Sequence, residues 1–176
     1  QHSLSKLSDF ESIERYKSKF SSSVDYRLRS DVPVGTCLSG GLDSSSVAAV
    51  ASMKYKSSFG KRFNGIHARS SEIDTDESNY AVMVANNNNI ELNVITPSTH
   101  DFVQAIDDVV YAQEEPFPDP SIFMQYFVMQ KARELGCSVL LDGQGGDETL
   151  LGYERYYPAY LLSLPIGQFF TEFWYS

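Results

Sequence analysis

Two stretches of the chain combine glycine, acid and hydroxyl side chains in a way that suits phosphate chemistry. Leu38–Val50 reads LSGGLDSSSVAAV, and Val139–Tyr157 reads VLLDGQGGDETLLGYERYY. In the first, Gly40 and Gly41 permit a sharp turn and close backbone approach to a ligand. The amides that open the following helix point outward with the positive end of its dipole. Ser39, Ser44, Ser45 and Ser46 add hydroxyl donors, each worth about 1.5–3 kcal/mol on a charged oxygen. The loop lacks the lysine of GxxxxGK[ST], and Asp43 sets a carboxylate where an anion should sit. That carboxylate has two readings: it caps the helix, or it reaches a Mg2+ that bridges phosphate oxygens. The second stretch repeats the design, with Gly145, Gly146 and Asp147 after another apolar run. If the strands carrying the two loops are neighbours, Asp43 and Asp147 face one crevice and share the metal. The plainer reading makes Asp147 and Glu148 the acidic start of a helix.

Such loops need strands to hold them, and the chain supplies strand–loop–helix units in succession. Ser8 and Glu11 stand in capping-box spacing before a helix over about residues 9–29, with Phe10, Ile13, Phe20, Val24 and Leu28 along one stripe. Pro33 closes it, and VGTCL (34–38) reads as a strand before the helical DSSSVAAVASMKYK. RFNGIHA (62–68) and IELNVIT (90–96) read as strands around the helix DESNYAVMVANN. Ser98 and Thr99 open a helix to about Gln113, EEPFPDPS (114–121) is a loop, and IFMQYFVMQKAREL is helical before the strand CSVLLD (137–142). This alternation predicts an α/β fold, a doubly wound parallel sheet with helices on both faces.

Composition narrows the partners. With 14 Lys+Arg against 23 Asp+Glu and a net charge of -9, no basic face for nucleic acid is expected. No apolar run approaches the ~20 residues of a membrane span, and no signal peptide is legible, so a cytoplasmic protein is expected. Cys37 and Cys137 read as two packed thiols. His2, His67 and His100 suggest neither a metal cluster nor a hydrolase triad. DTDES (74–78) either binds substrate or begins a helix, and the aromatic tail reads as a helix surface belonging to a core.

From about Asp31 to Tyr157 the sequence resembles the synthetase domain of the asparagine synthase family. The resemblance is carried in order by DVPVGTCLSGGLDSS, DTDESNYA, EEPFPDPS and DGQGGDETLLGY. The first of these is similar to the pyrophosphate loop of the wider ATP-pyrophosphatase superfamily. The resemblance implies an adenine nucleotide alpha hydrolase-like fold, incomplete at its C-terminus: a leading helix over 1–30, the core over 31–157, and the start of a truncated helical part over 158–176.

It further implies that a carboxylate such as aspartate attacks the α-phosphate of ATP to give an acyl-adenylate and pyrophosphate, and that ammonia or an amine then displaces AMP. By resemblance, Ser39, Gly40, Gly41, Asp43, Ser44 and Ser45 hold pyrophosphate, Asp43 and Asp147 hold Mg2+, and Leu38, Ile66, Asp142 and Gly143 line the adenosine site. Gln144 stands where asparagine synthetases usually carry Glu and the β-lactam-forming branch carries Tyr. A glutamine cannot act as acid or base near neutral pH. The resemblance also implies a glutaminase domain, in the full-length chain or in trans, as ammonia donor, and a lysine beyond Ser176. Without these the present chain is expected to bind nucleotide but not to form amide. Lactam formers and lasso-peptide cyclases share the scaffold, and a non-catalytic nucleotide-binding domain is the alternative from another class.

Overall fold

The structure, a computed structural model, describes residues 7–70, 72, 76–150 and 152–175. It divides into two compact units, one up to Asp142 and one from Gly143.

The first unit is built on four parallel strands, β1 (Val34–Cys37), β2 (Asn64–Ala68), β3 (Glu91–Ile95) and β4 (Val139–Leu141), in the order β3-β2-β1-β4. Between them run α1 (Asp9–Arg27), α2 (Leu42–Phe59), α3 (Ser78–Asn87), α4 (Thr99–Gln113) and α5 (Ser121–Glu134). The period of two along each strand sends alternate side chains to opposite faces. Val34 and Leu141 pack with Val24, Leu28 and Ala51 of the first two helices. On the same side Leu38, Ala48, Ala81 and Ile90 form a second cluster under α3. Ile66, Cys137 and Leu140 turn the other way, onto Val128 and Ala132 of α5. Helices therefore cover both faces, as the alternation of elements predicts.

The starts of α1 and α4 fall where the sequence suggests, at Ser8 and Ser98. Ser8 and Glu11 form a reciprocal capping box on α1, and Ser98 with Asp101 forms another on α4. Gly60 closes α2 in the left-handed conformation. The expected stripe on α1 is buried only in its second half: Val24 and Leu28 are inside, while Phe10 is 73% and Ile13 54% exposed. The fourth strand is shorter than CSVLLD, because Cys137 N–H donates back to Ala132 O and only Val139–Leu141 join the ladder.

The second unit contains α6 (Gly146–Leu150), a 3-10 turn (Glu154–Tyr156), α7 (Tyr157–Ser163) and α8 (Ile166–Tyr175). Among the described residues of this unit Leu161 is buried. Tyr157 Oη reaches Glu172 O at 3.3 Å, tying α7 to α8. Along α8, Ile166, Phe170, Phe173 and Trp174 stand exposed. No helix among the described residues is long and apolar enough to cross a membrane.

Candidate functional site

The strand order reverses at β1. Its successors β2 and β3 lie on one side and β4 on the other, so the connection from β3 crosses back to the far side of β1. Open parallel sheets bind ligands at such a reversal, at the carboxyl ends of the strands. The two ends are tied by Thr36, fully buried, whose Oγ1 donates to Leu141 O at 3.0 Å. Both glycine loops begin there.

The loop after β1 is a small network of hydroxyls and amides. Ser44 Oγ accepts from Ser39 N–H at 3.2 Å, lies 2.8 Å from Ser39 Oγ, and donates to Gly41 O at 3.2 Å. Gly41 N–H donates to Ser39 Oγ at 3.1 Å. Gly40 holds φ +103°, and a Cβ there would lie 2.8 Å from Glu77 O and 3.1 Å from Tyr80 Cβ. It must be glycine both for its backbone conformation and because α3 leaves no room.

Gly41 is the N-cap of α2, so the reading of Asp43 as the cap is overturned: Asp43 stands in the first turn, and no side chain caps the helix. Among the described residues this half-buried carboxylate has no hydrogen-bond or ion-pair partner. Ser45 Oγ is buried and likewise makes no hydrogen bond. A buried hydroxyl without a partner costs about 1–3 kcal/mol, so a helix start that keeps one beside uncapped amides fits an anionic ligand.

Of the residues assigned to the nucleotide by resemblance, Leu38 and Ile66 are 1% exposed. Leu38 N–H donates to Ile66 O at 2.9 Å. The Ile66 side chain packs against α5. Asp142 is exposed at the end of β4. Its negative charge adds to burial in pushing the Cys37 thiol up to about 11, with burial the larger cause. Cys37 and Cys137 are both free thiols, as expected.

In the second unit Gly143 is half-buried and Gln144 exposed. Gly145 holds φ +92° with open space around a hypothetical Cβ. Asp147 lies in the first turn of α6, as the plainer reading has it. Its carboxylate rests against the Cα of Gly152, where any Cβ would collide with Asp147 Oδ1. Glu148 accepts from Tyr153 Oη at 2.9 Å. Its carboxyl is held below the ordinary range, first by its own backbone amide and then by this hydroxyl. No group of three or more potential metal ligands exists among the described residues.

Of DTDES, Asp74 and Thr75 lie outside the described residues. Asp76 accepts from both the N–H and the hydroxyl of Ser78, the first residue of α3, as a helix-start carboxylate does. A cavity of about 560 Å3 opens beside the first loop, lined by Ser39, His67, Arg69, Glu77, Phe102 and Ser121 among others. Sequence reasoning assigns no role to His67, which is 3% exposed on β2. Nor does it account for Gly152. Both are explained by partners that folding brings to them.

Comparison with known proteins bears on the whole assembly. The asparagine synthase family matches residues 15–170. The chain is 35% identical over 152 residues to a putative glutamine-hydrolysing asparagine synthetase of Methanocaldococcus jannaschii, covering 84% of this chain and 28% of that protein. It is 34% identical over 138 residues to a glutamine-hydrolysing asparagine synthetase of Bacillus subtilis, covering 76% and 20%. With the amidase chyE of Penicillium rubens it shares 28% over 168 residues, covering 90% and 25%. The chain therefore spans about a quarter of the length of these relatives. Among solved structures, the NH3-dependent NAD synthetase of Campylobacter jejuni superposes with a TM-score of 0.51 at 20% identity, over 80% of this chain and 60% of that one, a likeness of fold. With an adenine nucleotide alpha hydrolase-like sheet, a hydroxyl-rich loop at its reversal and a family match along most of its length, the chain belongs to the asparagine synthase family.

Proposed function

We propose that the chain is the core of an ATP-dependent amide-forming ligase that adenylates a carboxylate, aspartate first among the candidates, releases pyrophosphate, and passes the acyl group to ammonia or an amine. The observation that supports this most is the loop after β1, where a buried Ser45 hydroxyl without a partner adjoins the uncapped start of α2. ATP supplies the activated phosphorus and the leaving group when bound. The residues of the chain then divide the work. Ser39, Gly40, Gly41, Ser44 and Ser45 hold the pyrophosphate end through amides and hydroxyls, fixed in advance where negative charge develops. Asp43 and Asp147 are the carboxylates that would hold Mg2+, and both are negative, so neither belongs beside a polyphosphate without a cation. Leu38, Ile66, Asp142 and Gly143 flank the adenosine. Gln144 Oε1 accepts and Nε2 donates a hydrogen bond, but neither moves a proton near neutral pH. It orients the amine rather than deprotonating it.

By this reading residues 31–157 form the catalytic core, ammonia comes from a glutaminase domain in the same protein or in trans, and the enzyme works in the cytoplasm. A second reading, closure of a lactam or peptide ring, rests on the shared scaffold, since Gln144 matches neither the Glu of asparagine synthetases nor the Tyr of the lactam-forming branch. Pyrophosphate exchange on the full-length protein tests the proposal: labelled pyrophosphate should return into ATP only in the presence of the true carboxylate. Asp43→Asn and Asp147→Asn should each lose most of this exchange while leaving the fold intact. Unchanged exchange in both variants removes the metal role, and absence of exchange with every acid tried leaves a nucleotide-binding domain without turnover.

A further inference from the structure

Four polar residues are buried among the described residues: Thr36, Ser44, Ser52 and His67. Ser52 bonds within its own helix, to Ala49 O at 2.9 Å. Thr36 and Ser44 hold the strand end and the loop described above. His67 is the fourth, and both its ring nitrogens are engaged. Nδ1 lies 2.8 Å from Leu38 O. Because a carbonyl only accepts, Nδ1 carries a hydrogen and donates it. Nε2 lies 2.9 Å from Ser78 Oγ. Ser78 in turn donates from its amide and its hydroxyl to Asp76, and Asp76 accepts from Arg69 Nε at 3.1 Å. Asp76 is held below the ordinary carboxylate range, chiefly by the Ser78 hydroxyl.

Leu38 is the residue on which β1 leaves the sheet. Its N–H is taken by the backbone of β2, at Ile66 O, and its carbonyl by a side chain of the same strand, His67. The carbonyl belongs to the peptide that begins Ser39, so the ring fixes the direction in which the loop departs. A second contact works alongside it, since Gly40 sits against Glu77 and Tyr80 at the head of α3, the helix that Ser78 opens. His67 also lines the cavity beside the loop, together with Arg69 and Glu77.

Resting on the nucleotide reading above, we infer that His67 is a positioning residue for the phosphate loop: its Nδ1–H fixes the Leu38–Ser39 peptide, and its Nε2 ties that peptide through Ser78 and Asp76 to the wall of the neighbouring cavity. A substrate group that orders Arg69 or the start of α3 is thereby transmitted to Ser39, Gly40 and Gly41. The role differs from simple core filling because it depends on a donor at one ring position.

The test uses the full-length protein, with two readouts on each variant: hydrogen exchange of the peptide spanning residues 38–45 without ligand, and ATP affinity by calorimetry. His67→Phe keeps an aromatic ring and removes both nitrogens. It should speed exchange in the loop and weaken ATP binding about tenfold, the loss of one hydrogen bond to a buried carbonyl. His67→Asn places an amide donor near the Nδ1 position and should recover most of the affinity and protection, whereas His67→Gln, which reaches toward Nε2, should not. If His67→Phe does not fold, the Asn and Gln pair decides alone. A wild-type protein that binds no ATP overturns the nucleotide reading, and this inference with it. A wild-type protein that binds ATP while His67→Phe matches it in both readouts, or His67→Asn as poor as His67→Gln, overturns the inference and leaves the nucleotide reading standing.

Discussion

The loops after β1 and after β4 look alike in sequence, two glycines and then an aspartate, yet they are built differently. In the first, Gly40 is pressed against α3, Ser39 and Ser44 bond each other and the backbone, and His67 grips the residue before the turn. In the second, Gly145 adopts φ +92° in open space, and the turn is held by its own short bonds: Gly146 N–H to Gly143 O at 3.2 Å, and Thr149 Oγ1 to Gly145 O at 3.0 Å. The aspartates differ as well, Asp43 being without a partner among the described residues and Asp147 folded onto Gly152. The first loop is braced by the sheet and a neighbouring helix, and the second turn carries short bonds of its own. Similar motifs therefore tolerate different changes.

The glycines give the largest contrast. Gly40→Ala adds a collision with Glu77 O to an unfavourable φ, and urea unfolding should show a loss of about 2–4 kcal/mol. Gly145→Ala meets only the backbone strain and should lose about 1–2 kcal/mol. Equal losses would erase the distinction between the loops.

Within the first loop the serines should separate stability from binding. Ser44→Ala breaks three interactions of its hydroxyl and should destabilise by about 1–2 kcal/mol. Ser45→Ala removes a hydroxyl that has no partner, so the melting temperature should hold or rise, while ATP affinity falls about tenfold or more. A Ser45→Ala protein that loses stability and binds ATP normally would show that this hydroxyl serves the fold.

The smallest effect is chemical. Cys37, raised to about 11, should react slowly with iodoacetamide at pH 8, and faster as pH climbs toward that value and thiolate accumulates. Asp142→Asn removes a nearby negative charge and should shift the reactivity profile to lower pH. An unshifted profile would mean that the exits of the two loops are electrostatically independent.

Much of this was legible in the chain because the signals are local. The capping box at Ser8, the helix start at Ser98, glycines at strand ends and the alternation of periods two and near four each lie within a few residues, and the structure reproduces them. What escaped depends on distance. His67 sits between apolar neighbours on a strand and reads as core, since its partners Leu38 and Ser78 are 29 and 11 residues away. Asp43 resembles an N-cap until the backbone shows Gly41 in that place. Phe10 and Ile13 complete a stripe on paper, but no described element covers the first half of α1.

Thr36 has a consequence for the order in which the fold is made. Its strand pairs with β2 only 29 residues on, at Gly65, but with β4 across 105 residues, at Leu141. Loop-closure entropy rises slowly with length, so the longer closure costs only about 1 kcal/mol more. In time the gap is larger. A chain emerging from the ribosome can form β1, β2 and β3 with their helices while the other edge of β1 waits, its amides and carbonyls bare and open to pairing with another chain. Among the described strands, the pairing of β1 with β4, where both glycine loops begin, is thus the last to close, and a nascent chain should need chaperone protection for this edge during the synthesis of residues 96–141.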